Sequence, residues 1–196
     1  MARRKFSIIL IKPSHYDEQG YVIQWRRSTI PSNSLASVYG LLAECAEAEV
    51  LGPDVEIEID AYDECNTVID VKGTIARLKA AGAGFVALVG VQSNQYPRGL
   101  DLARQFRAAR LPVVIGGFHV SGCLSMLPKP TPELQEALDL GITLYAGEGE
   151  GRLAALLQDI DAGRLQPVYN HLGDLPGMEA AALPVLPRRI VTRVAG

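Results

Sequence analysis

Five short apolar runs, separated by stretches of helical period, constrain this chain more than any other feature. The runs are "KFSIILIK" (5–12), "VEIEID" (55–60), "GFVALVGV" (84–91), "PVVIGG" (112–117) and "ITLYAG" (142–147). Strand-length runs alternating with helical patterns indicate a parallel sheet, because neighbouring parallel strands need a crossover long enough to hold a helix. Runs one, three and four are almost continuously apolar, as expected of strands covered on both faces. Runs two and five alternate instead: Glu56, Glu58 and Asp60 stand between Val55, Ile57 and Ile59, while Thr143 and Tyr145 stand between Ile142, Leu144 and Ala146. Alternation puts these two at the sheet edges.

The expected fold class is therefore α/β: a flavodoxin-like (Rossmann-like) three-layer sandwich with a five-stranded parallel sheet in the order 2-1-3-4-5. It should occupy residues 1–163. The helical stretches agree, since Val68, Val71, Ile75 and Leu78 share one helical face, as do Leu153, Leu156, Leu157 and Ile160. Gly82, Gly141 and Gly163 stand where helix C-caps are wanted, and Ser32 or Ser34 is placed to cap the first helix. Cys45 follows Leu41 and Leu42 on the face begun by Leu35 and Val38, so it is expected in the core.

Two segments break the alternation. "PSHYDEQGYVIQWRRSTIPSN" (13–33) is far longer than an ordinary βα loop of about 2–6 residues, and its "DEQG" turn predicts a small hairpin. Trp25 with Arg26 and Arg27 fits an amphipathic arm packed on the domain, or equally a contact with a ligand or another domain. From Leu165 onward the chain has four prolines and no sustained period, so residues 164–196 read as a linker.

Composition limits the partners. A formal charge of −3, with Lys and Arg spread along the chain, offers no basic stripe for nucleic acid. No apolar run approaches the roughly 18 residues of a membrane span, and "MARRKFSIIL" lacks the form of a signal peptide, so no membrane is expected and the cytoplasm is the expected compartment. Cys45, Cys65 and Cys123 form no CxxC and read as reduced thiols.

In such a sheet, ligands bind beyond the carboxyl ends of the strands. The residues there are Pro13, Ser14 and His15; "DEC" (63–65); Gly90, Val91, Gln92, Ser93 and Asn94; Gly116, Gly117, Phe118 and His119; and Gly147, Glu148, Gly149 and Glu150. This crest is glycine-rich and mostly uncharged, which suits a large neutral ligand that touches backbone. A receiver domain would need a phosphate-accepting aspartate after strand three and a lysine after strand five, where this chain has Gly90-Val91-Gln92 and Gly147-Glu148. A dinucleotide site would need GxGxxG after strand one; "GEGEGR" follows strand five, and Glu148 and Glu150 would repel a pyrophosphate. His15, His119 and His171 show no metal-ligand spacing and no cysteine clusters with them in this reading, so no metal ligands are expected. Nor can a Ser/His/Asp arrangement be assembled. His171 is read as structural, and "DAYDE" (60–64) as a solvated strand end.

Taken together, these residues carry a resemblance. Strand four ends in a glycine pair followed by an aromatic and a histidine (Gly116 to His119), strand five is followed by "GEGE" (Gly147 to Glu150), and the exit is punctuated by proline. In these features the chain resembles the N-terminal cobalamin-binding domain of cobalamin-dependent radical SAM proteins. "IQWRRSTIPSNSLA" and "VALVGVQSNQYPRGLDLAR" are similar to one subgroup of that family, and the likeness covers nearly the whole chain. It implies cobalamin lying across the crest with its nucleotide tail beside the strands, the glycine pair leaving room for the tail, and Glu148, Gln92, Ser93 and Asn94 pairing the corrin amides. Gly117 is accordingly expected to be a strand position that would tolerate a Cβ but for the ligand.

The chain departs from the methionine synthase and mutase pattern, DxHxxG followed by SxL. "HVSG" (119–122) follows the fourth strand rather than the first, Gly117 occupies the aspartate position, and "VGV" (89–91) stands at SxL. A histidine ligand to cobalt is therefore not expected. CxxxCxxC is also absent, so the [4Fe-4S] cluster and S-adenosylmethionine implied by the resemblance would belong to a C-terminal radical SAM domain outside this chain, toward which 164–196 would lead. The competing expectation is a non-catalytic interaction module that keeps the fold without the cofactor, its crest filled by Phe118 or by the Trp25 segment.

Overall fold

A computed structural model describes residues 3–25, 32–177 and 182–186. In chain order the elements are β1 (Arg4–Lys12), α1 (Asn33–Glu47), β2 (Val55–Asp63), α2 (Val71–Ala81), β3 (Gly84–Leu88), α3 (Tyr96–Ala108), β4 (Val113–Gly116), α4 (Phe118–Met126), α5 (Pro132–Asp139), β5 (Thr143–Ala146), α6 (Leu153–Asp161) and β6 (Val168–Asn170). The strands form one all-parallel sheet in the order β2-β1-β3-β4-β5-β6, so the first five strands take the expected order. No helix among the described residues is long and apolar enough to cross a membrane.

Side-chain alternation along each strand divides the core into two layers. Phe6, Ile8 and Leu10 of β1, with Phe85, Ala87 and Val114, pack under α1 and α6. On the other face Ile9, Ile11, Val86, Leu88, Val113 and Ile115 pack under α2, α3, α4 and α5. This is a flavodoxin-like three-layer α/β/α sandwich. Capping follows sequence closely: the Ser32 hydroxyl accepts from the Leu35 N–H, Asp70 accepts from the Gly73 N–H, and Gly82 closes α2 at φ +79°.

The sheet corrects two expectations. Residues 168–170 lie in the segment read as a linker, yet they pair with β5 from Leu144↔Val168 to Ala146↔Asn170. Strand five is consequently interior, and all four of its residues are buried. Its alternating polarity has a different cause: the Thr143 hydroxyl donates to the Gln166 carbonyl (2.7 Å) and the Tyr145 hydroxyl to the Glu148 carbonyl (3.0 Å). Polar atoms on an interior strand are tolerated when bonded, and these partners lie outside the strand. Strand two is an edge, with Glu56 and Glu58 exposed.

The long segment after β1 turns back on itself as expected, with Tyr16 and Val22 bridged antiparallel and the Ile23 N–H donating to the His15 carbonyl (2.9 Å). Arg26 and Arg27 lie outside the described residues. What fastens the hairpin is the end of β2, which is not a solvated strand end. The Glu64 side chain is 1% exposed, takes a forked ion pair from Arg98 (2.6 Å) and accepts from the Ser14 N–H (3.0 Å). Asp63 is buried too, facing Lys12 at 3.5 Å.

Candidate functional site

Two connected spaces open at the carboxyl end of the sheet. An open hollow of about 1010 Å3 is bounded by Gln92, Ser93 and Asn94 on one side, and by Gly117, Phe118 and Ser121 on another. Gly147, Glu148, Leu172 and Ser34 complete its rim. From its floor a slot of about 350 Å3 runs down between the sheet and the helix pair α1 and α6. Ser34, Gly90, Gly117, Gly147 and Glu148 border both, so the two are continuous.

The slot owes its existence to small residues on the α1/α6 face. Gly116 and Ala87 present little or no side chain from the sheet, Ser34 and Ser37 little from α1, and Gly149 none from the β5–α6 loop. Its walls are apolar (Leu41, Leu42, Val114, Leu153, Leu156), with Tyr145 at the side. Burial pushes the Tyr145 phenol up to about 12, so it stays protonated and holds the Glu148 carbonyl.

Among the described residues two buried side-chain oxygens lack a hydrogen-bond partner, Thr131 Oγ1 and Glu150 Oε2, and only the second belongs to a residue that borders these spaces. Glu150 borders the slot, and its Oε2 is buried without a hydrogen-bond partner among the described residues. A buried carboxylate oxygen left unsatisfied is costly and is retained where something else satisfies it. No lysine or arginine borders either space among the described residues; nearby Arg152 is paired with Asp174. The charge pattern therefore gives no counter-charge to a terminal phosphate or a pyrophosphate, and it favours amide or hydroxyl donors.

The two glycines of the pair have different jobs. The nearest atoms to a Cβ on Gly116 would be those of Tyr145, at 3.4 Å and an ordinary contact, and the position borders the slot. A Cβ on Gly117 would sit 2.2 Å from the Val91 backbone nitrogen, and its φ is +137°. Here the expectation of a tolerant strand position is corrected: the backbone of the β3–α3 loop, not a ligand, excludes a side chain. The two loops are stitched at this crossing by Val91 N–H to Gly116 carbonyl (3.1 Å) and His119 N–H to Val91 carbonyl (3.0 Å). Val91 is fully buried there and serves the crossing rather than the hollow.

Of the residues expected at the site, Gly90, Gln92, Ser93, Asn94, Gly116, Gly117, Phe118, Gly147, Glu148, Gly149 and Glu150 border the hollow or the slot. Pro13, Ser14 and His15 do not; Ser14 is fully buried, its hydroxyl donating to the Ile23 carbonyl. His119 also turns away, its ring packed against Tyr96 at 4.4 Å between centroids, with Ser93 Oγ 3.2 Å from Nδ1. It stands beside Cys123, with Nε2 and Sγ 3.8 Å apart, which corrects the expectation that no cysteine clusters with a histidine. The spacing of four residues was visible, but only a helix beginning at Phe118 stacks the two side chains.

Sequence reasoning missed Ser34, Ser37, Ser121 and Leu172. The first two were within reach, since a cap at Ser32 sets the N-terminus of α1 at the crest. Leu172 was not, because its position depends on β6 carrying the chain back to the crest, where the His171 N–H donates to the Ala146 carbonyl (2.9 Å). Compared with family models, curated proteins and solved structures, the chain matches none.

Proposed function

We propose that this chain is a cobalamin-binding module, holding the corrin ring over the hollow and the nucleotide tail in the slot. The observation that carries the reading is the bipartite cavity: a broad polar hollow continuous with a narrow apolar slot, as a plate-and-tail ligand requires. Gln92, Ser93, Asn94 and Glu148 would pair the neutral amides of the ring, Gly116 and Gly149 would leave space for the tail, and the orphaned oxygen of Glu150 would accept a ligand donor. When bound, the cofactor would supply a methyl-bearing or otherwise reactive cobalt.

What this chain contributes is binding and orientation. Cys45, Cys65 and Cys123 lack the spacing that holds a [4Fe-4S] cluster, so the reading assigns the cluster, S-adenosylmethionine and radical chemistry to a radical SAM partner domain. His119 is engaged with Tyr96 and Ser93, and His15 borders neither space, so this reading gives neither of them to the cobalt.

The competing reading, an interaction module that has lost its cofactor, expects the crest to be filled by the chain itself. Phe118 is 77% exposed and Trp25 63% exposed, and neither side chain occupies the slot. The test is to incubate the purified protein with hydroxocobalamin, desalt it and record the visible spectrum. Retention of one corrinoid per chain is expected; a colourless protein that remains folded would overturn the assignment and favour the interaction module.

A further inference from the structure

On the opposite side of α4 from the hollow, three side chains of different chemistry converge. His119 and Cys123 lie one turn apart on α4, and Glu133 stands in the first turn of α5. Their ligand atoms all lie within 4.8 Å of one another. His119 Nε2 is 3.8 Å from Cys123 Sγ and 3.6 Å from a Glu133 carboxylate oxygen. We propose that His119, Cys123 and Glu133 form a Zn2+ site with an open fourth position, independent of the corrinoid reading.

The separations fit that ion. With Zn–S of about 2.3 Å and Zn–N and Zn–O of about 2.0–2.2 Å, the edges of a tetrahedron are about 3.6 Å between N and S and about 3.4 Å between N and O. The observed pairs are wider by about 0.2 Å each. The remaining Cys–Glu edge closes by rotation of the Glu133 side chain, which is 42% exposed and reaches in from solvent. Imidazole, thiolate and carboxylate together suit a borderline-soft divalent metal better than Mg2+ or Ca2+, which prefer all-oxygen sets.

The surroundings also prepare the ligands. Ser93 Oγ lies 3.2 Å from His119 Nδ1 and can accept a hydrogen bond from a protonated Nδ1, which is the tautomer that leaves Nε2 free to bind a metal. Tyr96 packs on the imidazole ring while its hydroxyl donates to the Glu133 main-chain carbonyl (3.1 Å), tying the two halves of the site together. On binding, the Cys123 thiol releases its proton to solvent and no redox change occurs.

The test uses the full chain, stripped with chelator and free of cobalamin, titrated with Co2+ and then Zn2+. One Co2+ per chain is expected, with tetrahedral ligand-field bands and a thiolate-to-cobalt charge-transfer band, both lost on adding Zn2+. Cys123→Ser should abolish the charge-transfer band, and His119→Ala should weaken Zn2+ by about 100-fold or more. Ser93→Ala should cost about 10-fold, as an orienting neighbour does. Cys45→Ser and Cys65→Ser should change nothing. Absence of saturable one-to-one binding, or a band that survives Cys123→Ser, would overturn the site. Should Cys123→Ser melt well below wild type without metal, Glu133→Gln at the exposed corner carries the same test: unchanged Zn2+ affinity in that variant overturns the proposal.

Discussion

The Cβ position of Gly117 falls 2.2 Å from the backbone nitrogen of Val91. Two loops at the head of the sheet thus cross at a distance only glycine permits, and their mutual hydrogen bonds depend on it. Gly117→Ala is expected to destabilise the fold by at least about 2 kcal/mol, the strain of a non-glycine residue at this φ adding to the clash. Chemical denaturation of the protein without ligand measures it; a variant as stable as wild type would show that the loops can part freely.

Gly116 should behave in the opposite way. Its Cβ meets only ordinary contact with Tyr145, and its backbone is that of a strand, so Gly116→Val should keep the melting temperature of wild type. The added methyls would project into the slot and lower hydroxocobalamin retention by at least about 10-fold, since close-packed surroundings yield little. Normal retention in a folded Gly116→Val protein would remove the tail from the slot.

Glu150 sets stability against binding. Replacing it with leucine removes a buried oxygen without a partner and extends the apolar wall, so the free protein should gain about 1 kcal/mol. Corrinoid affinity should fall in the same variant. Calorimetric melting beside equilibrium dialysis reads both effects, and a loss of stability in the free protein would mean that the oxygen has a partner in solution.

Glu64 and Arg98 fasten the β1–α1 excursion to the body of the domain. Glu64→Ala leaves Arg98, 17% exposed, without its counter-charge and the buried Ser14 N–H without an acceptor, at an expected cost of about 3–5 kcal/mol. The double replacement Glu64→Leu with Arg98→Met should recover much of that loss. A double-mutant cycle by urea denaturation checks the coupling, which is expected to exceed 1 kcal/mol in magnitude because the groups are in contact.

The sequence determined a good deal by itself: the parallel sheet, the order of its first five strands, a serine cap at Ser32 or Ser34, the cap at Gly82, and the crest as the place where glycines gather. These are local properties, set by side-chain alternation and backbone preference within a few residues. Tertiary structure decided the rest. Three residues in a proline-rich segment became β6 because the exposed side of β5 offered unpaired main-chain groups, which turned an expected edge into an interior strand. Whether Glu64 was solvated or buried depended on Arg98, 34 residues away, and whether Gly117 made room for a ligand or for Val91 depended on a loop crossing. The slot exists only where α1 and α6 close over the small residues of the sheet, and His119 faces Glu133 rather than the hollow because α4 begins at Phe118. Contacts between distant segments are fixed by the packing of the whole domain, and no short-range pattern encodes them.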